Sequence, residues 1–371
     1  MSFPFEALSE RLLAAAKKNR IPLSGGFELT GRCNLKCKMC YVCKDSNDKS
    51  AMKAERTAKE WIRLAEEARD AGTLFLLLTG GEVFLREDFK EIYEAICMMG
   101  FNTQIYTNAT MITPKIANWL GRIPPSSMEV TLYGASPETY HKVCGDASGY
   151  ERAIRGIDLL LKEGINLKLR TTVIKDNSED FFKIAEMAHS RNIELSLISY
   201  ISPRGGGCSL QADSIRLSPE ESVEFEIRAN KYYEKLKNER LEITPLNNTQ
   251  SDDASINIKD KIVNYRNGDS PLECSAGNCY FWITNDGRMT PCAIMDEPTI
   301  ETFKKGFSNS WKELQEACKH IPVCDECKGC DYKDYCKVCP AKLKTETGIF
   351  NQKAPYLCAY AKKRRELSRL I

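Results

Sequence analysis

The sequence predicts an α/β protein built on a parallel sheet. Short apolar or β-branched runs recur along the first two hundred residues, as buried parallel strands require. Stretches with helical periodicity lie between them. From about residue 201 the alternation stops, and a cysteine-rich, turn-rich tail begins at Cys274.

The elements follow in order. MSFPFEALSERLLAAAKKNR mixes acids and bases and lacks an apolar core before a small-residue cleavage site. It predicts a short amphipathic lead-in helix over 1–20, not a secretory signal. Strands are predicted at Phe27–Thr30, Leu74–Thr79, Thr103–Thr107, Met128–Tyr133, Leu167–Ile174 and Glu194–Tyr200. Helices are predicted at Ala58–Ala71, Glu87–Met99, Lys115–Leu120, Gly149–Glu163 and Glu179–Ser190. Ser136-Pro137 is a cap followed by a first-turn proline, and Gly164 is a helix stop. Six strands with helical crossovers imply a parallel sheet, open or curled into a partial barrel. Ligands of such folds sit at the carboxyl ends of the strands. SPRGGG is a loop, and Ser218, Pro219 and Glu221 start a further helix with a capping box. NNTQSDDASINIKD is polar and reads as exposed chain. The predicted units are therefore 1–20, the sheet at 21–215, a helical linker at 216–270 and the cysteine-rich domain at 271–371.

Composition narrows the function. The length of 371 residues suits two or three domains and a real core. A net charge of +2 offers no broad basic face for nucleic acid. No apolar run reaches the ~18 residues of a membrane span. The 17 cysteines fall in clumps, which in a long chain points to metal rather than disulfides.

Cys33, Cys37 and Cys40 stand as C-x3-C-x2-C directly after the first predicted strand. Three thiolates on one loop can hold three irons of a [4Fe–4S] cube and leave the fourth iron open. Zinc is the rival, with Cys43 as a fourth ligand. At the end of the second strand, Gly80-Gly81 lets backbone approach a ligand, and Glu82 adds an acceptor for an ammonium group. In isolation these would be an ordinary strand-to-helix turn.

CNLKCKMC at 33–40, TGGE at 79–82, YTNATMI at 106–112 and VTLYGASPETY at 130–140 together resemble the radical S-adenosylmethionine (SAM) enzymes. The resemblance implies a partial (β/α)6 barrel in which Cys33, Cys37 and Cys40 bind a [4Fe–4S] cluster whose open iron chelates SAM. It implies cofactor contacts from Thr79, Gly80, Gly81 and Glu82, with Asn108 a further contact. Arg170 would pair with the SAM carboxylate, or else form a structural salt bridge. Met39, Val83 and Ala109 depart from the aromatic, proline and glycine common in the family, and none removes a ligand. The tail resembles the SPASM extension, with Gly287 to Cys292 as its G-x4-C and Cys327, Cys330 and Cys336 as its C-x2-C-x5-C. That implies two further closed [4Fe–4S] clusters, three in all. The first would use Cys274, Cys279, Cys292 and Cys339, and the second Cys327, Cys330, Cys336 and Cys358. Two residues rather than three separate Cys336 from Cys339, so Cys324 is a substitute to test.

Cys97 reads as core, and Cys43 as a spare beside the first cluster. Cys144 and Cys208, read as loop residues after the fourth and sixth strands, are candidates for a catalytic thiol. Enzymes of the SPASM type mostly act on peptides. Ala293 stands where sulfatase maturases carry an aspartate, which discounts that activity. The expected function is thus formation of a thioether or carbon–carbon cross-link in a ribosomally made peptide. Too few residues precede the first strand for a fused leader-recognition domain, so a separate protein or the barrel itself would recognise the leader. A flavodoxin- or ferredoxin-type reductant and a reducing, low-oxygen cytoplasm are expected. The alternatives are modification of a small molecule such as a tetrapyrrole, an iron–sulfur electron carrier, or a zinc-organised binding protein.

Overall fold

The computed structural model describes residues 5–42, 44–203, 212–243, 271–272, 274–336 and 338–368. Six strands form the predicted sheet: β1 (Ser24–Glu28), β2 (Phe75–Thr79), β3 (Asn102–Thr107), β4 (Ser127–Thr131), β5 (Leu167–Thr172) and β6 (Glu194–Ile198). They lie side by side in sequence order, each neighbouring pair parallel. The predicted crossover helices are present at Ala58–Asp70, Phe89–Met98, Pro114–Arg122, Gly149–Lys162 and Asp180–Ser190. Their ends carry the expected chemistry. Thr57 and Glu60 form a capping box, and the Ser136 hydroxyl accepts from Thr139 N–H at 3.2 Å to start Pro137–Cys144. Gly164 takes φ 72° behind its helix, the left-handed turn that glycine adopts at least cost. Ser218 and Glu221 cap the long helix Pro219–Ile243 at 3.1 and 2.8 Å. The lead-in helix runs Phe5–Asn19. The NNTQSDDASINIKD segment lies outside the described residues.

The helix-facing sides of the strands meet the apolar faces of the helices in one core. Phe27, Leu78, Ile105, Val130, Leu169 and Trp61 are all fully buried there. Each such side chain contributes about 1.5–3 kcal/mol by leaving water.

β1 starts three residues earlier than predicted, at Ser24-Gly25-Gly26. Glycines are poor strand formers, and the reason for them is a neighbour that no local pattern reveals. β7 (Tyr280–Ile283) pairs parallel with β1, with Gly25 opposite Phe281 and Gly26 opposite Trp282. A Cβ on Gly25 would lie 2.2 Å from the Phe281 ring, and one on Gly26 2.3 Å from the Trp282 ring. β8 (Arg288–Thr290) and β9 (Ile300–Glu301) follow antiparallel, so the sheet has nine strands in the order β9-β8-β7-β1-β2-β3-β4-β5-β6. The cysteine-rich, turn-rich tail sequence predicts no strands. The Asp286-Gly287 turn between two apolar runs was an available hairpin signal, and Gly287 does take φ 88°.

The tail is sewn to the barrel. Phe281 packs edge-on against Phe307 at 4.8 Å between centroids, and Phe307 N–H donates to Glu67 at 2.7 Å. Buried Arg216 meets Glu346 through two bonds of 2.7 and 3.1 Å, and Tyr200 also donates to Glu346, at 2.8 Å. Among the described residues, no helix is long and apolar enough to cross a membrane.

Candidate functional site

The cysteine loop leaves the carboxyl end of β1, where an α/β sheet places its ligands. Arg32 anchors its root, gripping Glu55 through Nε at 2.8 Å and a terminal nitrogen at 3.1 Å. Lys36 and Lys38 N–H groups donate to the carbonyls of Cys144 and Val143, both at 2.9 Å, which ties the loop to the end of helix Pro137–Cys144. Cys40 N–H donates to Cys37 O at 3.0 Å. Leu35 N–H and the Asn108 amide reach Cys33 Sγ at 3.4 and 3.7 Å. Burial pushes the Cys33 thiol up, with Glu82, Cys37 and Cys40 adding to it.

Gly80 and Gly81 follow β2 and lie on the backbone of this loop. A Cβ on Gly80 would stand 2.5 Å from Thr30 O, and one on Gly81 2.1 Å from Arg32 O. Gly81 and Glu82 N–H groups donate to those same two carbonyls, each at 2.8 Å. The paired glycines therefore let two strand ends touch beside Cys33. Glu82 is fully buried. Its carboxylate accepts from the Thr107 hydroxyl at 2.8 Å, Asn108 N–H at 2.8 Å and Phe84 N–H at 3.2 Å. Burial pushes its pKa up, and these donors act against that. Thr79 ends β2, and its carbonyl accepts from Leu29 N–H at 2.8 Å. Asn108 is a hub: besides Cys33 it bonds Asn34 at 3.0 Å and the Thr110 backbone at 2.9 Å. The residue after it, Ala109, takes φ 58° while fully buried, a left-handed conformation that glycine adopts at least cost.

Arg170 lies inside the barrel on β5. It bonds Glu129 on β4 at 2.9 Å, with a second close contact from its Nε, and its guanidinium stands 5.0 Å over the Tyr106 ring. The structural salt bridge held open for it is thus formed. Cys144 does not lie in a loop. It ends helix Pro137–Cys144, 1% exposed, with its thiol against Cys37. Contact with Cys144 and burial push Cys37 up, and the nearby Tyr133 hydroxyl opposes this. Cys97 is half-buried, 3.7 Å from the Thr103 hydroxyl. Cys43 and Cys208 lie outside the described residues.

The tail thiols gather in two places. Cys274, Cys292 and Cys339 are neighbours: burial raises Cys274, with Cys339 adding, and raises Cys292 to about 11, with Cys339 and Cys274 adding. Cys318, not singled out from the sequence, joins them: burial raises it to about 12, with Cys292 and Cys274 adding. Cys327, Cys336, Cys330 and Cys358 form the second group, and Cys324 stands against Cys327.

Three patches of like, partly buried thiols suit metal centres, because a thiolate in such a place needs a positive centre beside it. Among the described residues, no three His, Cys, Asp or Glu side chains converge as on one ion. A cube, being larger than an ion, holds its thiolates farther apart. The first patch fits a cube of three protein ligands.

A parallel partial barrel with such a loop at its strand ends defines a class of iron–sulfur α/β enzyme. Residues 27–188 match the model of the Radical SAM superfamily. Those residues are a radical SAM domain, and that family implies a [4Fe–4S] cluster and SAM. The chain is 26% identical over 346 residues to the AdoMet-dependent heme synthase of Methanosarcina barkeri (strain Fusaro / DSM 804), covering 90% of this chain and 95% of that one. It is 28% identical over 182 residues to the PqqA peptide cyclase of Rhizobium meliloti (strain 1021), 48% of each chain. Its fold is similar to that of Streptococcus suis SuiB bound to the precursor peptide SuiA, with a TM-score of 0.69 at 18% identity over 96% of this chain and 82% of that one.

Proposed function

We propose that this enzyme cross-links a ribosomally made peptide, forming a thioether or carbon–carbon bond. Cys33, Cys37 and Cys40 would hold the catalytic cluster, and the two tail groups would hold two closed auxiliary clusters. When bound, the cluster and SAM would supply the radical hydrogen-abstraction chemistry. The chain's part is placement. Asn108 donates to Cys33 and would tune a cluster held there, since hydrogen bonds to sulfur set its potential. Gly80 and Gly81 let the end of β2 close on the root of the cysteine loop. Thr79, Glu82 and Arg170 hold the strand ends that surround it.

One observation carries the choice of substrate. Four basic side chains around the strand ends are matched by the chain's own acids. Lys38 and Lys142 share Asp176 at 2.6 and 2.8 Å, Lys36 meets Asp45 at 3.1 Å, and Arg170 meets Glu129. A tetrapyrrole bearing several propionates needs unmatched cations, whereas a largely uncharged peptide segment does not. The likeness to the peptide-bound SuiB fold agrees. A second reading, tetrapyrrole modification, is favoured by the near full-length similarity to a heme synthase. The physiological setting proposed is a reducing cytoplasm, with a flavodoxin- or ferredoxin-type reductant and a separate leader-recognition protein.

The test is anaerobic turnover of the reconstituted enzyme with SAM and reductant. The short peptides encoded beside its gene, and an iron porphyrin bearing propionates, are each offered as substrate. Cross-linking predicts 5′-deoxyadenosine released together with a peptide lighter by one pair of hydrogens. Porphyrin-dependent release with loss of carbon dioxide would overturn the peptide reading.

A further inference from the structure

Cys279 also neighbours Cys274, which adds to the rise that burial gives its thiol, so with Cys318 the first tail group has five thiols, one more than a closed cube requires. Cys274, Cys292 and Cys339 are common to any assignment, and two residues compete for the fourth place. Cys279 is fully buried, and its side chain packs with Ala16 and Leu23 in a small cluster of its own, on the side of the lead-in helix. Cys318 sits near the end of helix Phe307–Lys319, 2% exposed, in the main core against which Cys292 and Cys339 also pack. Its sulfur lies on the turn that follows Cys274: a Cβ on Gly277 would stand 2.6 Å from Cys318 Sγ. Gly277 takes φ 65°, so a side chain there is disfavoured twice, by backbone and by the sulfur. One turn earlier on the same helix, Gln315 reaches Asn278 O at 3.5 Å and Arg20 O at 3.1 Å. The helix is thus docked over the turn, with its cysteine on the segment after Cys274 and in the core against which Cys292 packs.

The geometry points to Cys318 as the fourth protein ligand of the first auxiliary cluster, with Cys279 a core residue. This rests on the reading that the tail thiols hold auxiliary clusters. Helix Phe307–Lys319 also packs on the barrel, through Phe307 and Glu67. A ligand on that helix would therefore make the cluster a clamp between the tail and the barrel's outer helices.

The experiment is iron counting and Mössbauer spectroscopy of anaerobically reconstituted full-length protein, wild type beside C318S and C279S, with circular dichroism to check folding. Three cubes give about twelve irons per chain in the wild type. The assignment expects C318S to fall to about two thirds of that count, and C279S to keep the full count with an unchanged spectrum. Loss of a third of the iron in C279S, or none in C318S, overturns the assignment while leaving the auxiliary clusters in place. Should C318S fail to fold, C279S still decides, since retention of every cluster there leaves Cys318 as the remaining thiol neighbour of Cys274 and Cys292. A wild type with only about four irons overturns the assignment together with the auxiliary-cluster reading.

Discussion

Cys33, Cys37 and Cys40 share one eight-residue loop, and neighbouring backbone holds them: strand β1 before, the Gly80-Gly81 turn beneath, the Cys144 carbonyl at the far side. Cys274, Cys292, Cys318 and Cys339 come instead from a turn, a strand end, a helix and a helix start, spread over 66 residues from first to last. A site made by one loop is written in its spacing, because a short loop has few ways to arrange three side chains. A site made from separate elements depends on which faces those elements bury. The same residue type therefore carries clear information in the first case and little in the second.

The comparison can be broken first at the ligands. Cys33→Ser is expected to reduce 5′-deoxyadenosine production to background, while Cys358→Ser leaves SAM cleavage measurable but uncouples it from product. Chromatography of both products checks this, and equal loss in the two variants would erase the distinction between catalytic and auxiliary sites. Next comes the packing that holds the tail. Glu346 and Arg216 are both buried, at 5% and 6% side-chain exposure. Glu346→Ala leaves a buried guanidinium with the exposed Asp213, the Ile201 carbonyl and the Tyr356 ring beside it, at a cost of about 3 kcal/mol. Urea denaturation should show that loss, and an apolar replacement of both partners should recover much of it. A smaller effect sharpens the local side. Ala109→Gly relieves the left-handed backbone and should gain up to about 1 kcal/mol, less what the unfolded chain gains in entropy. No gain in thermal melting would mean that the turn is not strained.

The smallest effect is electrostatic. Burial alone would raise Asp176, but Lys142 and Lys38 outweigh it and hold its carboxyl below the usual value. A depressed carboxylate stabilises the fold above its unfolded pKa, and that contribution disappears as pH falls through the folded value. Asp176→Asn should therefore cost about 0.5 kcal/mol near pH 7 and nothing in strong acid. A deficit that persists at pH 2 would assign the effect to packing rather than charge.

The strands and helices of the barrel were legible because each has local causes: short apolar or β-branched runs, helical periodicity, the Ser136 cap and the Gly164 stop. The start of β1 was not, since Gly25 and Gly26 make sense only beneath Phe281 and Trp282, more than two hundred residues away. The same holds for Arg170. Its type and strand position suggested an anion partner, but only the fold supplies Glu129 as that anion. Cys144 was misread as a loop residue, because its helix is short and its burial comes from the cysteine loop folding over it.

What the sequence by itself determined is the class of chemistry and the parallel barrel that carries it. Both rest on short-range physics: strand and helix periodicity, caps, and three thiols too close together to point far apart. Only the tertiary structure decided that the tail extends the barrel sheet through β7, that Glu82 is a buried acceptor joining two strand ends, and that Cys318 stands with Cys274 and Cys292. These depend on contacts between residues far apart in the chain, and no local pattern encodes which buried face meets which.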